Sequence, residues 1–286
     1  MTVAEFFGCT FMAFGPPFAM FIFTIAHDPI RIIILIAAAF FWLVSLLLSS
    51  IIWSAIPLKT HLEFAIFYTV LFQEGFRFAI YKILRKAENG LKKITDNSTT
   101  LIENKQILAY VSGLGFGIMS GAFSLVNVLA DAVGPGTMGL KAGKETFFIT
   151  SSLIGLCFIL LHTFWSVIFF HACDNRNYLH LGYVVISHLV ASYLTLLNSH
   201  YEYWGSITTL YVILMFTGCA AFKVAGWDSC FISKRGLILR LLLKKYVINK
   251  YFKLLMYLLH FIFPLTGIIF IYIWINIEIK KITTPT

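Results

Sequence analysis

The chain alternates long apolar runs with short polar interruptions. A helix rising 1.5 Å per residue needs about 20 mainly apolar residues to cross a bilayer. Seven runs reach that length: 3–25, 30–56, 62–84, 106–130, 146–171, 178–197 and 204–226. Asp28-Pro29, Pro57 and Gly134-Pro135-Gly136 punctuate turns between them. Pro16-Pro17, inside the first run, predicts a kink, because proline removes a helix hydrogen bond and crowds the preceding turn. The pattern therefore predicts an all-α polytopic membrane protein, a seven-transmembrane-helix bundle over residues 1–226. Residues 227–286 differ in character, being dominated by Leu, Ile, Lys, Tyr and Phe, and 252–277 is apolar enough to span. This extension reads as an extra C-terminal hydrophobic helix, as an interfacial basic segment, or as sequence foreign to the native product. All three readings stand open.

Composition strengthens the membrane reading. The chain is 59% hydrophobic and 12% charged, about half the charge of a soluble domain. Its net charge of +9 does not point to nucleic acid, because the basic residues lie between apolar runs and form no patch interleaved with exposed aromatics. Basic residues in that position orient spans and meet anionic membrane lipids. An outside N-terminus places Arg31, Lys82, Arg85, Lys86, Lys92, Lys93, Lys105, Arg176 and the basic residues from Lys223 to Lys253 inside, against Lys59, Lys141 and Lys144 outside. The expected topology is N-terminus lumenal or extracellular, with the end of helix seven cytosolic. On that topology the sequon Asn97-Ser98-Thr99 stays unglycosylated. Lys280 and Lys281 would run against the trend if 252–277 spans. Glu5 and the lack of a basic leader argue against a cleaved signal peptide. The five cysteines form no CxxC pair and read as small buried hydrophobes.

Ionisable groups inside spans cost about 2.5–3.5 kcal/mol on insertion scales, so each demands a reason. Run three contains Gln73-Glu74-Gly75-Phe76-Arg77. Glu74 and Arg77, three apart, share a helix face and can pair; Arg77 could instead snorkel outward. Two readings stand level: a pair that only lowers insertion cost, and a polar contact to a neighbouring helix or partner. In run four, Gly113, Gly117 and Gly121 recur every four residues, with Ser120 and Ser124 nearby. That face admits close approach of another helix backbone, although the spacing does not say which helix. His162 in run five and His188 in run six could face each other from antiparallel helices. Metal binding is disfavoured, since zinc takes three or four ligands and none stands obviously alongside. A buried hydrogen-bonding pair that fixes packing is the better reading. His171 is expected to be interfacial.

Catalytic motifs are missing: no HExxH, no GxSxG elbow and no P-loop. Intramembrane aspartyl chemistry needs two aspartates at one site, and Asp131 is the one aspartate near a span interior. The sequence implies neither a catalytic residue nor a cofactor.

Several words in one register resemble the Aph-1 (anterior-pharynx-defective) family of γ-secretase subunits, in its insect form. They are Glu5-Phe6-Phe7-Gly8-Cys9-Thr10, Phe14-Gly15-Pro16, Asp28-Pro29-Ile30-Arg31, Phe40-Phe41-Trp42-Leu43 and Tyr110-Val111-Ser112-Gly113-Leu114. Gly134-Pro135-Gly136-Thr137, Leu161-His162-Thr163-Phe164-Trp165 and Ser187-His188-Leu189 continue the series, which covers residues 1–226. The resemblance implies a seven-span, non-catalytic scaffold that joins nicastrin and then docks presenilin and the presenilin-enhancer subunit. It also implies residence from the endoplasmic reticulum and Golgi to the plasma membrane and endosomes. Presenilin would carry the catalytic aspartates that cut membrane stubs such as Notch and amyloid precursor protein. Gly113, Gly117 and Gly121 match a face that matters for assembly, and His162 and His188 match paired histidines implicated in assembly and activity. The chain departs from the family after Val224-Ala225-Gly226, where Trp227 replaces a second glycine and the following residues are unmatched. Two other classes compete with this reading. A seven-helix receptor fits the span number but lacks DRY and NPxxY signatures. A small-solute transporter often shows internal repeats; none is clear, though His162, His188 and Glu74 could line a polar cavity.

Overall fold

The computed structural model describes residues 3–55, 62–94, 105–133, 145–196 and 203–226. The Asn97 sequon, Gly134-Pro135-Gly136, Cys230 and the whole 227–286 extension lie outside the described residues. Within them all regular structure is helical: α1 (Val3–Thr24), α2 (Pro29–Ala55), α3 (Leu62–Ile94), α4 (Lys105–Val133), α5 (Glu145–Asn175), α6 (Tyr178–Leu194) and α7 (Tyr203–Val224). The chain is thus an all-α polytopic membrane protein. Five helices, α1, α2, α4, α5 and α7, are long and apolar enough to cross a bilayer.

The other two differ from the expected spans for physical reasons. α3 has length to spare but carries Glu74, Arg77, Arg85 and Glu88, and all four acidic and basic groups have side chains at most 13% exposed. It also continues to Ile94, well past the apolar run, because the charged stretch remains helical and is braced by the Arg85–Glu88 pair at i,i+3 (3.0 Å). α6 has 17 residues, roughly 25 Å of helix against a hydrocarbon core of about 30 Å.

Local chemistry sets the helix ends. Asp28 accepts from the Ile30 N–H (3.0 Å) at the start of α2, where Pro29 occupies a position that needs no donor. α5 ends at Asn175, and Arg176 takes a left-handed φ of 53°. Asn177 then caps α6, its side chain accepting from the Leu179 and His180 N–H groups. α1 runs through Pro16 and Pro17 without a break in its helical assignment.

α5 is the organising helix: it packs on α1, α4, α6 and α7. α4 sits between α5 and α2, while α3 packs on α2 and α6. Single polar contacts tie the helices together, as expected where apolar burial gains little against lipid. Thr24 meets the Tyr110 hydroxyl (3.1 Å), Tyr183 meets Thr217 (2.8 Å), and Tyr211 donates to the Leu153 carbonyl (3.1 Å).

Candidate functional site

Glycine decides how closely α4 and α5 approach. A Cβ on Gly113 would lie 2.8 Å from the Thr163 Cα and 2.7 Å from the Ser166 Cβ. One on Gly117 would meet the Ile159 backbone, 3.0 Å from its Cα, and one on Gly121 would lie 2.5 Å from Ile159 Cδ1. The repeat predicted in the sequence therefore seats α5 of the same chain. Gly115, which stands outside that repeat, serves the opposite face: its Cβ would run into the Leu35 carbonyl of α2 and lie 3.2 Å from the Ala38 Cβ. Backbone crowding cannot be relieved by a side-chain rotation, so Gly113, Gly115 and Gly117 exclude a side chain, whereas Gly121 meets only the Ile159 and Phe14 side chains.

That close approach frames a polar core. Arg77 is fully buried (0% exposed), so it does not snorkel. Its Nε donates to Glu74 Oε2 (3.1 Å). Nη1 donates to the His162 carbonyl (3.0 Å) and to Ser166 Oγ (2.5 Å), and Nη2 reaches His162 Nδ1 (2.9 Å). Its guanidinium also lies 5.1 Å from the centroid of the Phe116 ring, a cation–π contact strengthened by the absence of water. The other carboxylate oxygen, Glu74 Oε1, takes the hydrogen of His188 Nδ1 at 2.7 Å.

Donor accounting fixes the histidine roles. Arginine has only donors, so His162 Nδ1 must accept and the ring hydrogen of a neutral His162 sits on Nε2. A carboxylate has only acceptors, so His188 carries its hydrogen on Nδ1. The two rings stand 5.0 Å apart at 87°, packed edge to face rather than hydrogen-bonded to each other. Both histidines are buried and hydrogen-bonded, each ring being held by one member of the α3 ion pair. Trp165 stacks on His188 at 4.4 Å and donates its indole N–H to Ser187 Oγ (2.9 Å).

Two groups that the sequence presented separately, Glu74 with Arg77 and His162 with His188, thus form one buried network joining α3, α5 and α6. Gln73 borders it without joining, its buried Oε1 having no hydrogen-bond partner. Sequence reasoning missed Ser166, Trp165, Ser187 and Phe116. Ser166 was within reach of inference, being four residues from His162 and hence on its helix face; Phe116 offered no signal.

Toward the ends of the same helices lies a second polar group that the sequence did not reveal. Arg85 grips Asp174 through two hydrogen bonds, Nε to Oδ1 (2.9 Å) and Nη2 to Oδ2 (2.6 Å). The Tyr81 hydroxyl donates to Asp174 Oδ1 as well (2.9 Å). His171, expected at the interface, lies beside this cluster with Asn175 against its Nε2 (2.8 Å).

The architecture meets its relatives in sequence. Residues 4–228 match the family described as Aph-1 protein. The chain is 61% identical over 229 residues to the gamma-secretase subunit Aph-1 of Drosophila melanogaster, covering 80% of this chain and 96% of that protein. It is 51% identical to gamma-secretase subunit Aph-1b of Danio rerio, covering 79% of this chain and 90% of that protein. Against gamma-secretase subunit APH-1B of Homo sapiens the identity is 47%, over 80% of this chain and 91% of that protein. The match runs through every described helix and both polar groups, and the chain belongs to the Aph-1 family.

Proposed function

We propose that this chain is the non-catalytic scaffold subunit of a γ-secretase intramembrane protease complex. The observation that carries the reading is similarity along nearly the full length of proteins named as gamma-secretase subunits. The bundle supports it. Glu74, in the buried polar core, is held by Arg77, and Asp174, at the end of α5, by Arg85. Such groups fix helices against each other rather than stand ready for proton transfer to a substrate. In this reading presenilin supplies the catalytic aspartates, nicastrin joins first, and the presenilin-enhancer subunit completes the assembly, which processes type I proteins such as Notch and amyloid precursor protein. The basic loops place the N-terminus outside and the end of α7 in the cytosol, in membranes from the endoplasmic reticulum to the cell surface. The glycine face and the histidine network serve assembly through the fold: they set the α4–α5 distance and the α3–α5–α6 geometry on which partner surfaces depend.

Affinity purification of the full chain from mild detergent is the test. Nicastrin and presenilin should be recovered together, and the isolated chain should cleave no membrane stub. A folded chain that repeatedly purifies without either protein overturns the reading.

A further inference from the structure

We infer that the polar cavity between the ends of α3, α4 and α5 binds the phosphate-bearing headgroup of an anionic phospholipid. The inference rests on the orientation proposed above, which puts this end of the bundle in the cytosolic leaflet. The cavity measures about 370 Å³ and is lined by Arg85, Lys105, Gln106, His171, Asp174 and Asn175, over apolar residues that include Phe170. That volume is within the range of small-molecule sites, about 300–1,000 Å³.

Depth favours a lipid over a solute. His162 lies close to the midpoint of the apolar stretch Phe147–Asn175. Asp174, three helical turns farther on, is roughly 18 Å along the axis, just beyond the half-thickness of about 15 Å of a hydrocarbon core. The cavity therefore stands at headgroup level, with apolar walls toward the bilayer interior. Charge selects the sign of the ligand. Asp174 is neutralised by the two-pronged Arg85 contact and further occupied by Tyr81, and Glu88 accepts the third Arg85 bond (3.0 Å). Among the lining residues Arg85 balances Asp174, and Glu88 does not line the cavity, so Lys105 leaves the lining with one net positive charge. Lys105 has no ion pair among the described residues and is exposed, leaving its three donors for an incoming phosphate. The Gln106 and Asn175 amides add neutral donors. Lys82 and Lys86, exposed on α3, raise the local concentration of anionic lipid without lining the cavity.

The test uses the purified full chain in detergent, with phosphatidylinositol 4-phosphate or phosphatidylcholine added and retained lipid read by native mass spectrometry. The phosphoinositide should be retained selectively. Lys105→Gln should weaken its binding about fivefold, the effect of one basic residue near a membrane surface, whereas Lys86→Gln should change it less than about twofold. Equal losses in the two variants would mean diffuse attraction to a basic surface and overturn the site, as would equal retention of phosphatidylcholine. Soluble inositol phosphate binding as tightly as the lipid overturns the lipid source. Because the readout needs no partner subunit, its failure is distinguishable from failure of the scaffold reading.

Discussion

α2 and α5 are both long, apolar helices, yet 28% of the α2 stretch is buried inside the protein against 89% of α5. Hydrophobicity does not separate them, since α2 is the more apolar of the two. What differs is the arrangement of small and polar side chains. α2 keeps Ala38, Ser45 and Ser49 on its buried side and turns Ile33, Ile36, Phe40, Leu47 and Ile51 outward. α5 buries Ser152, His162, Thr163 and Ser166 along one face and large apolar side chains such as Leu153, Phe164 and Trp165 on its other sides. In lipid, an isoleucine gains little by moving inward, because acyl chains are as apolar as a protein interior. A serine or histidine gains a partner. The centre of this bundle therefore holds partnered polar groups set among large apolar side chains such as Phe116, Phe164 and Trp165.

Three tests would break or sharpen this comparison, each read as unfolding in a mixed-micelle denaturant titration. The largest effect belongs to Arg77→Met, which strands the buried Glu74 carboxylate. A loss of about 3–5 kcal/mol is expected, and Glu74→Gln combined with Arg77→Met should be less damaging than Arg77→Met alone. If the double variant is the worse of the two, the pair is not acting through charge compensation. Next is Gly117→Ala on the face that meets α5, where the added methyl collides with the Ile159 backbone; overpacking of this kind costs about 1–3 kcal/mol. Gly75→Ala is its control, since a Cβ there has open space around it, and the two should differ clearly. The smallest effect is Phe40→Leu on the outward face of α2, within about 0.5 kcal/mol of the parent. A loss matching that of Gly117→Ala would show that the α2 face is an internal contact.

The helices themselves were legible, because lipid imposes a length on each apolar run. The start of every described helix falls within a residue of the corresponding run. α3 was underestimated at its far end because hydropathy registers the lysines after Tyr81 as an exit, whereas helix propensity and i,i+3 pairing carry the backbone onward. Glu74 and Arg77 could be paired on paper since their contact is local. The links from Arg77 to His162 and from Glu74 to His188 bridge 85 and 114 residues, and no spacing rule reaches that far. The glycine repeat announced a close contact but not its partner, for a groove without side chains fits any helix backbone that comes to it. Asp174 lies beyond the end of the fifth apolar run, and its grip on Arg85 depends on how α3 and α5 end side by side.

One consequence concerns protons. A row of buried histidines and a carboxylate has the parts of a proton relay, in which each ring takes a hydrogen at one nitrogen and releases one from the other. Here the row ends on Arg77, a group that keeps its protons and offers no lone pair. His162 receives its Nδ1 hydrogen bond from a donor that will not let go, so nothing passes along the chain. The two histidines therefore stand as braces with fixed hydrogen-bonding roles rather than as links of a relay.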